Sequence, residues 1–338
     1  MRRALRLRLF AAALVAAGLA ALAPPAAAQE EDGSGGLVGL ALPVGARAVG
    51  QGRAAAASLG DLQALPYNPA TGASGFERGA VTFSRFEGAE AADFASSYVA
   101  AAWAGRWGTV AGHVVLHDYG TIPITVDSPT PVGSVDVSEW VVGLTYANRW
   151  REKLSWGVTA KLYNSDLGQV DGSAPAFDLG VVYRPRTQLP LDLAASLRNV
   201  GSDLEYEVPA TPDGSGVGGT ARLPSSVRVG VRYHPEGGFG LPPGYALSFS
   251  FDTESDLREL STSSLHAGVS AIVHEILVLR AGFLMADNPY IEEGDGDRTS
   301  GGSFGVGVRW GDFEADVARE LSVSELGDET HFSVGFRF

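Results

Sequence analysis

The last eight residues, 331–338, constrain the fold more than any other part of the sequence. Apolar residues occupy every second position there: Phe332, Val334, Phe336 and Phe338. This period of two is typical of a strand with one apolar and one polar face. Such a segment fits poorly on a water-soluble domain, but it fits a strand whose apolar face meets lipid and whose edges are paired in a closed barrel. The sequence therefore predicts a transmembrane β-barrel.

The opposite end of the chain has the pattern of an export signal. Four arginines precede an apolar stretch over residues 9–23, two prolines end that stretch, and residues 26–28 offer a small-residue cleavage site. We expect a signal peptide over residues 1–28 rather than a membrane span. The sequence has no cysteine, which argues against a lipoprotein anchor, disulfides and thiolate metal sites. No apolar run of about 18 residues follows, so no transmembrane helix is expected.

From residue 80 onward, alternating segments separated by turn residues predict fourteen strands. Most have the length of about 9–11 residues that a tilted membrane strand needs. The predicted strands are 80–86, 93–104, 107–118, 137–148, 153–163, 176–184, 191–199, 224–234, 244–253, 263–273, 276–285, 302–310, 312–320 and 330–338. The connections between them alternate long and short, as in an up-and-down outer-membrane barrel with long outer loops and short periplasmic turns. A Greek-key sandwich, the alternative, has no reason to keep this rhythm.

The segment before the first strand is different in composition. It is rich in glycine and alanine and ends in the motif Asn68-Pro69-Ala70. A lumen enclosed by fourteen strands is too wide for the wall side chains to fill, so this segment is expected to plug it. The predicted organisation is a signal peptide over 1–28, a linker and plug over 29–78, and an all-β, antiparallel, fourteen-stranded barrel over 79–338. A periplasmic extension outside the pore is the alternative for the plug.

The N-terminal motifs resemble those of PorV/PorQ-type outer-membrane proteins, a branch of the FadL-like barrels. The resemblance rests on residues 45–54, on Tyr67 to Ala70, and on segments at 177–183, 197–201 and 279–283. It implies a fourteen-stranded barrel in which Arg47, Arg53, Asn68, Pro69 and Ala70 belong to the plug. The terminal Phe336 and Phe338 also resemble the signal that the barrel-assembly machinery reads.

No catalytic centre, cofactor or metal site is predicted. His113 and His117 are four residues apart on a strand, which separates them by about 13 Å. The acidic stretch 292–297 matches no known calcium-loop spacing, and the glycine-rich stretch 214–219 precedes no helix, so both are interpreted as loops. The formal net charge of −14 argues against nucleic acid as a partner.

Charged residues on the polar faces of the strands are expected to line the lumen. The main ones are Asp178, Asp192, Arg228, Arg232, Asp252, Arg280 and Arg309. We expect Arg47 and Arg53 of the plug to pair with Asp178, Asp192 or Asp252 through charge-assisted hydrogen bonds. The alternative is that these charges only hydrate a wet interior.

Two functions follow from the resemblance. One is a role in type IX protein secretion, with secretion components and cargo proteins as partners. The other is FadL-like transport of hydrophobic compounds. The polar or small residues on the lumen faces favour the first, because a lipid pocket is mostly apolar. An enzyme acting on outer-membrane lipid is a third possibility, but it lacks a positioned nucleophile. In each case outer-membrane lipid surrounds the barrel.

Overall fold

The computed structural model describes residues 38–88, 94–125, 131–168, 170–185, 190–207, 219–235, 240–258, 260, 263–287, 298–321 and 328–338. In these ranges, no helix is both long and apolar enough to cross a membrane. The predicted signal peptide over residues 1–28 lies outside the described residues, as do the acidic stretch 292–297 and, except for its last residue, the glycine-rich stretch 214–219.

Fourteen antiparallel strands form a closed barrel, as predicted. They are β1 (Gly79–Glu87), β2 (Ala95–Gly105), β3 (Gly108–Thr125), β4 (Pro131–Trp150), β5 (Leu154–Asp166), β6 (Asp171–Tyr183), β7 (Leu191–Gly201), β10 (Ser226–Tyr233), β11 (Ala246–Asp256), β12 (Ser263–Val273), β13 (Leu277–Asp287), β14 (Arg298–Trp310), β15 (Phe313–Leu321) and β16 (Glu329–Arg337). Between β7 and β10, a short hairpin of β8 (Leu204–Glu207) and β9 (Thr220–Ala221) adds to the end of β6. Because β1 pairs with β16, the sheet has no open edge.

The closure between the first and last strands extends to the final residue. The amide of Phe338 donates to the Gly79 carbonyl at 3.0 Å, and the Gly79 amide donates to the Phe338 carbonyl at 2.9 Å. The Phe338 ring lies 5.9 Å from the ring of Trp103 on β2. The predicted pairing of the terminal strand into a barrel is therefore confirmed.

Over most of their length, the strands alternate between a lumen face and an outer face. On β6 every second residue is buried, and on β14 the side chains of Phe304, Val306 and Val308 are about half exposed on the outside. A wide apolar outer surface of this kind suits lipid rather than water.

Aromatic side chains gather at the end of the barrel that carries the short turns. Trp103, Trp107, Trp150 and Trp310 are 62%, 73%, 58% and 82% exposed there. Tryptophan prefers the membrane–water interface because its ring is apolar and its N–H is polar. This distribution is the one expected of an interfacial girdle.

Strands β3 and β4 are longer than predicted. The stretch 119–136 was predicted to be a loop, but most of it continues the two strands as a hairpin. Ile122 pairs with Val135, and the Thr121 hydroxyl lies 2.6 Å from an Asp136 carboxylate oxygen. A register shift between Asp118 and Thr121 interrupts the alternation. Because of this bulge, the alternation of apolar and polar residues did not predict that the strand continues.

The β8–β9 hairpin was not predicted, because its strands are too short to show a period. Leu204 and Leu223 are nonetheless buried against Ala174 and Ala176, on the lumen face of β6. This small apolar cluster fixes the hairpin at the long-loop end of the barrel.

Residues 38–78 lie inside the barrel as a series of short turns, and we call them the plug. They comprise a single-turn helix, α1 (Ala46–Val49), and three 3₁₀ turns at Val38–Ala41, Leu62–Ala64 and Pro69–Ala73. Val49, Ala56, Leu65 and Ala70 are fully buried. The plug contacts β14 and β15 on one side and β4, β5 and β6 on another, so it spans the lumen.

Candidate functional site

The plug lies against wall positions that carry no side chain, and two of these places are pairs of glycines. In each place two glycines face each other across neighbouring strands: Gly157 on β5 with Gly180 on β6, and Gly268 on β12 with Gly282 on β13. We call these the first and second glycine pairs. Without a Cβ, a glycine lets another backbone approach closely.

The Asn68-Pro69-Ala70 motif lies on the first glycine pair. A Cβ added at Gly157 would lie 2.6 Å from the Pro69 carbonyl oxygen, and one at Gly180 would lie 1.9 Å from Asn68 Oδ1. Both distances are far below van der Waals contact. The wall therefore needs glycine at both positions for the motif to occupy its place.

Asn68 joins the plug to the wall with hydrogen bonds from a fully buried side chain. Its Nδ2 donates to the Ala56 carbonyl at 2.8 Å and to the Val181 carbonyl of β6 at 3.2 Å. Its Oδ1 accepts from the Ala70 amide at 3.0 Å, which caps the 3₁₀ turn that begins at Pro69. An asparagine is suited to this place because its amide both donates and accepts.

The second glycine pair receives Gln51 and Gly52. A Cβ at Gly282 would lie 1.9 Å from the Gly52 nitrogen, and one at Gly268 would lie 2.4 Å from the Gln51 carbonyl oxygen. Gly52 has a φ of +62°, and its amide donates to Ser303 Oγ at 3.1 Å. The chain thus turns sharply at the point where it touches the wall.

Arg47 of α1 is held by a cluster of carboxylates. It pairs with Asp61 of the plug at 3.2 Å, with Asp316 of β15 at 3.2 Å, and with Glu314 of β15. Burial alone would lower the pKa of Arg47, but the three carboxylates raise it well above its ordinary value. Arg47 is therefore a permanent positive charge that ties the plug to β15.

Arg53 forms a second ion pair between the plug and β15. Its Nε and Nη2 donate to the two carboxylate oxygens of Glu320 at 3.1 Å and 2.7 Å. This two-bond geometry fixes the orientation of both groups as well as their distance.

The predicted partners of Arg47 and Arg53 were therefore wrong, although both arginines do pair with lumen carboxylates. Asp178 instead pairs with Lys161 at 2.7 Å, and Asp192 with Arg184 at 2.6 Å. The choice of partner depends on the rotation of the plug in the lumen, which no strand pattern specifies.

Asp252 does hold the plug, but through the backbone. Its Oδ2 accepts from the Ala56 amide at 2.9 Å and lies 3.2 Å from Arg228. Arg228 in turn donates to the Arg53 carbonyl at 2.7 Å and to Glu254. This buried network connects β10, β11 and the plug.

The remaining predicted lumen charges lie at the short-turn end. Arg280 pairs with Asp316 at 2.7 Å, so β13 shares the carboxylate that binds Arg47. Arg232 and Arg309 line the lumen below the plug. Sequence analysis missed Glu314, Asp316 and Glu320, although all three alternate with outward-facing residues of β15 and that period could have identified them.

The plug divides the lumen into two cavities. The upper cavity, on the long-loop side, has a volume of about 310 Å³. Charged side chains form part of its lining, namely Lys161, Arg198, Arg228 and Glu254, and Glu254 pairs with both arginines. The apolar part of the lining, which we call the apolar wall, consists of Leu40, Leu42, Pro43, Val44, Val115, Val141 and Leu284. The polar faces of the strands did not predict this apolar lining, because much of it comes from the plug rather than from the strands.

The lower cavity, on the short-turn side, has a volume of about 400 Å³ and is rich in arginine. His113 lines the upper cavity, and His117 lines neither cavity. In the described ranges, no three His, Cys, Asp or Glu side chains form a group that could hold a metal ion. Both histidines are buried on the lumen face of β3.

Solved structures with the same architecture exist at low sequence identity. The monoaromatic hydrocarbon channel CymD matches with a TM-score of 0.59 at 16% identity, over 89% of this chain and 98% of that one. The toluene transporter TodX of P. putida matches with a TM-score of 0.55 at 12% identity, over 82% and 94%. A FadL homologue of Pseudomonas aeruginosa matches with a TM-score of 0.53 at 11% identity, over 87% and 98%. The fold is that of FadL-type barrels.

No protein-family model and no curated protein matches the sequence. The resemblance to the FadL-like barrels is therefore confirmed for the fold, and membership of the PorV/PorQ branch stays a prediction.

Proposed function

We propose that the protein is an outer-membrane channel for small hydrophobic compounds. The observation that carries the proposal is the upper cavity, where the plug places an apolar wall beside the passage. The apolar outer surface and the tryptophans at the short-turn end support a place in the membrane. CymD and TodX, which share the fold, are described as carriers of aromatic hydrocarbons.

The size of the upper cavity suits a compound with one or two rings. A cavity of roughly 150 Å³ holds benzene, and the upper cavity has about 310 Å³. Polar side chains of the lining, such as Asn199 and Ser264, offer hydrogen bonds to a polar substituent of the compound, which would fix the orientation of the ring against the apolar wall. The plug closes the way beyond this cavity, so passage requires the plug to rearrange.

Uptake by cells tests the proposal. The protein is expressed in a host that lacks its own hydrocarbon channel, and the initial uptake rate of labelled toluene is measured. We expect faster uptake than in the empty host. Val141→Ser, which makes the apolar wall polar, should lower the rate, because Val141 is 3% exposed and faces the upper cavity.

Val142→Ser is the matched control, since Val142 lies on the outer face of the same strand and is 46% exposed. It should leave the uptake rate unchanged at equal protein levels. An uptake rate equal to that of the empty host would refute the channel, and equal rates for both variants would refute the role of the upper cavity.

A role in type IX secretion is the second candidate, and the observation in its favour is the resemblance of residues 45–54 and 67–70 to PorV/PorQ-type proteins. The geometry gives these residues a plug-seating role, which any plugged barrel requires. Mass spectrometry of the protein purified from native membranes separates the candidates. Co-purified secreted proteins that share a C-terminal domain would favour secretion, whereas bound apolar molecules alone would favour transport.

A further inference from the structure

The lower cavity contains more positive than negative charge. Six arginines line it, from the plug and from five different strands or turns: Arg47, Arg184, Arg232, Arg280, Arg309 and Arg337. Four carboxylates pair with this group: Asp61, Asp192, Glu314 and Asp316. Two positive charges therefore remain without a carboxylate in this part of the structure. This local excess of positive charge is opposite in sign to the formal net charge of the whole protein, which is −14.

The two excess charges are Arg232 and Arg309. In the described ranges neither lies within ion-pair distance of a carboxylate, although each has a carboxylate directly opposite on the next strand. Asp192, opposite Arg232, binds Arg184 and lies 3.1 Å from His234 Nε2. Glu314, opposite Arg309, binds Arg47 and Arg337. The carboxylates opposite Arg232 and Arg309 are therefore already paired with other cations.

Donor groups in the same cluster also lack acceptors. The Nε–H groups of Arg47, Arg232 and Arg280 are buried and have no hydrogen-bond partner among the described residues. Arg280 is only 5% exposed as a whole residue. Arg280 is paired with Asp316, whereas Arg232 and Arg309 have no carboxylate within ion-pair distance in the described part of the chain and are partly buried. Partial burial of an unpaired charge is unfavourable, and a bound anion would offset part of this cost.

We propose that the lower cavity is a binding site for a small oxyanion, a phosphate or carboxylate group whose negative charge would balance Arg232 and Arg309. The guanidinium group matches the geometry of both anions, because it offers parallel N–H donors to two oxygens. A cavity of about 400 Å³ has room for such an ion with part of its hydration shell. The site lies below the plug, so this proposal stands independently of transport through the upper cavity.

Calorimetric titration tests the proposal on the full barrel in a neutral detergent, in a buffer free of other oxyanions. Inorganic phosphate and acetate are the probes, and sodium chloride at equal ionic strength is the control. We expect saturable binding of one oxyanion and none of chloride. Tighter binding of phosphate would identify a free phosphate as the source, and tighter binding of acetate would identify the carboxylate of an organic acid.

Variants then locate the site. The double variant Arg232→Gln, Arg309→Gln should weaken the affinity by about tenfold or more, as expected for the loss of charge-assisted hydrogen bonds. Arg85→Gln is the matched control, since Arg85 forms an exposed pair with Glu87 on β1. Its affinity should equal that of the unmodified protein.

Two results would overturn the proposal. One is the absence of saturable binding of either anion to the unmodified protein, which requires no variant. The other is equal affinity in the double variant, provided that it still migrates as a folded barrel in unheated gels. If the double variant does not fold, the melting temperature of the unmodified protein is compared in phosphate and in sodium chloride of equal ionic strength. A higher melting temperature in phosphate would support the site, and equal melting temperatures would reject it.

Discussion

At the scale of the residue, Asn68 shows how one side chain can attach the plug to the wall. It is fully buried, and its side-chain amide donates hydrogen bonds to two carbonyls and accepts one from a backbone amide. Removing such a group leaves those partners without hydrogen bonds, which costs about 1–3 kcal/mol for each buried group.

Asn68→Ala should therefore loosen the plug while the barrel stays folded. Asn68→Asp keeps the acceptor for the Ala70 amide but loses both donors and buries a negative charge, so it should loosen the plug further. Hydrogen exchange of the plug amides measures this effect, with the β14 amides as an internal reference. Equal protection in Asn68→Ala and the unmodified protein would contradict the role of Asn68.

The two plug arginines allow a ranking test. Arg47 faces three carboxylates and its side chain is 8% exposed, whereas Arg53 faces Glu320 and its side chain is 22% exposed. Breaking a buried pair costs roughly 3 kcal/mol or more, and more exposed pairs contribute about 1 kcal/mol. Arg47→Gln should thus raise plug exchange rates more than Arg53→Gln. The reverse order would show that the Arg53–Glu320 pair holds the plug more firmly than the Arg47 cluster.

At the scale of the element, the glycine pairs explain how a plug without long helices can be rigidly placed. The wall strands present bare backbone at Gly157, Gly180, Gly268 and Gly282, and the plug backbone fills these positions. Small residues on both sides therefore allow close packing over much of the contact.

Gly282→Ala should displace the plug, because the added methyl group would lie 1.9 Å from the Gly52 nitrogen, an atom of a backbone that cannot rotate away. We expect larger single-channel conductance in planar bilayers. Gly302→Ala on β14 is the control, since a Cβ there meets nothing within 4 Å. Equal conductance in both variants would mean that the second glycine pair does not position the plug.

The period of two predicted the fourteen strands to within a few residues over most of the barrel, because one face of each strand is apolar and exposed on the outside and the other faces the lumen. It failed where a bulge broke the period, as at Asp118 to Thr121 in β3. The pairing of Arg47 and Arg53 could not be predicted, because it depends on the orientation of the plug. The composition of residues 38–78 indicated a plug, but not its cross-strand glycine contacts.

At the scale of the whole molecule, the barrel is closed by hydrogen bonds between Gly79 and Phe338. Phe338 is 41% exposed at the short-turn end, where it also contacts the ring of Trp103. The terminal residue therefore takes part in closure in addition to its resemblance to the barrel-assembly signal.

Phe338→Ala should lower the yield of folded barrel in the outer membrane, as measured by the band that shifts on heating. Phe332→Ala is the control, because Phe332 lies on the outer face of the same strand and is 55% exposed. Both variants should refold in detergent to a similar extent, since each loses one lipid-facing ring. Equal yields in cells would contradict a special role of the last residue in assembly.

The partners of the plug also impose an order on biogenesis. The Ala46 amide donates to Ser333, Arg47 binds Glu314 and Asp316, and Arg53 binds Glu320. The ribosome makes these acceptors more than 260 residues after the groups that need them. A nascent or partly inserted chain thus carries Arg47 and Arg53 without their β15 partners until the last two strands are made, so these contacts of the plug can form only late in assembly.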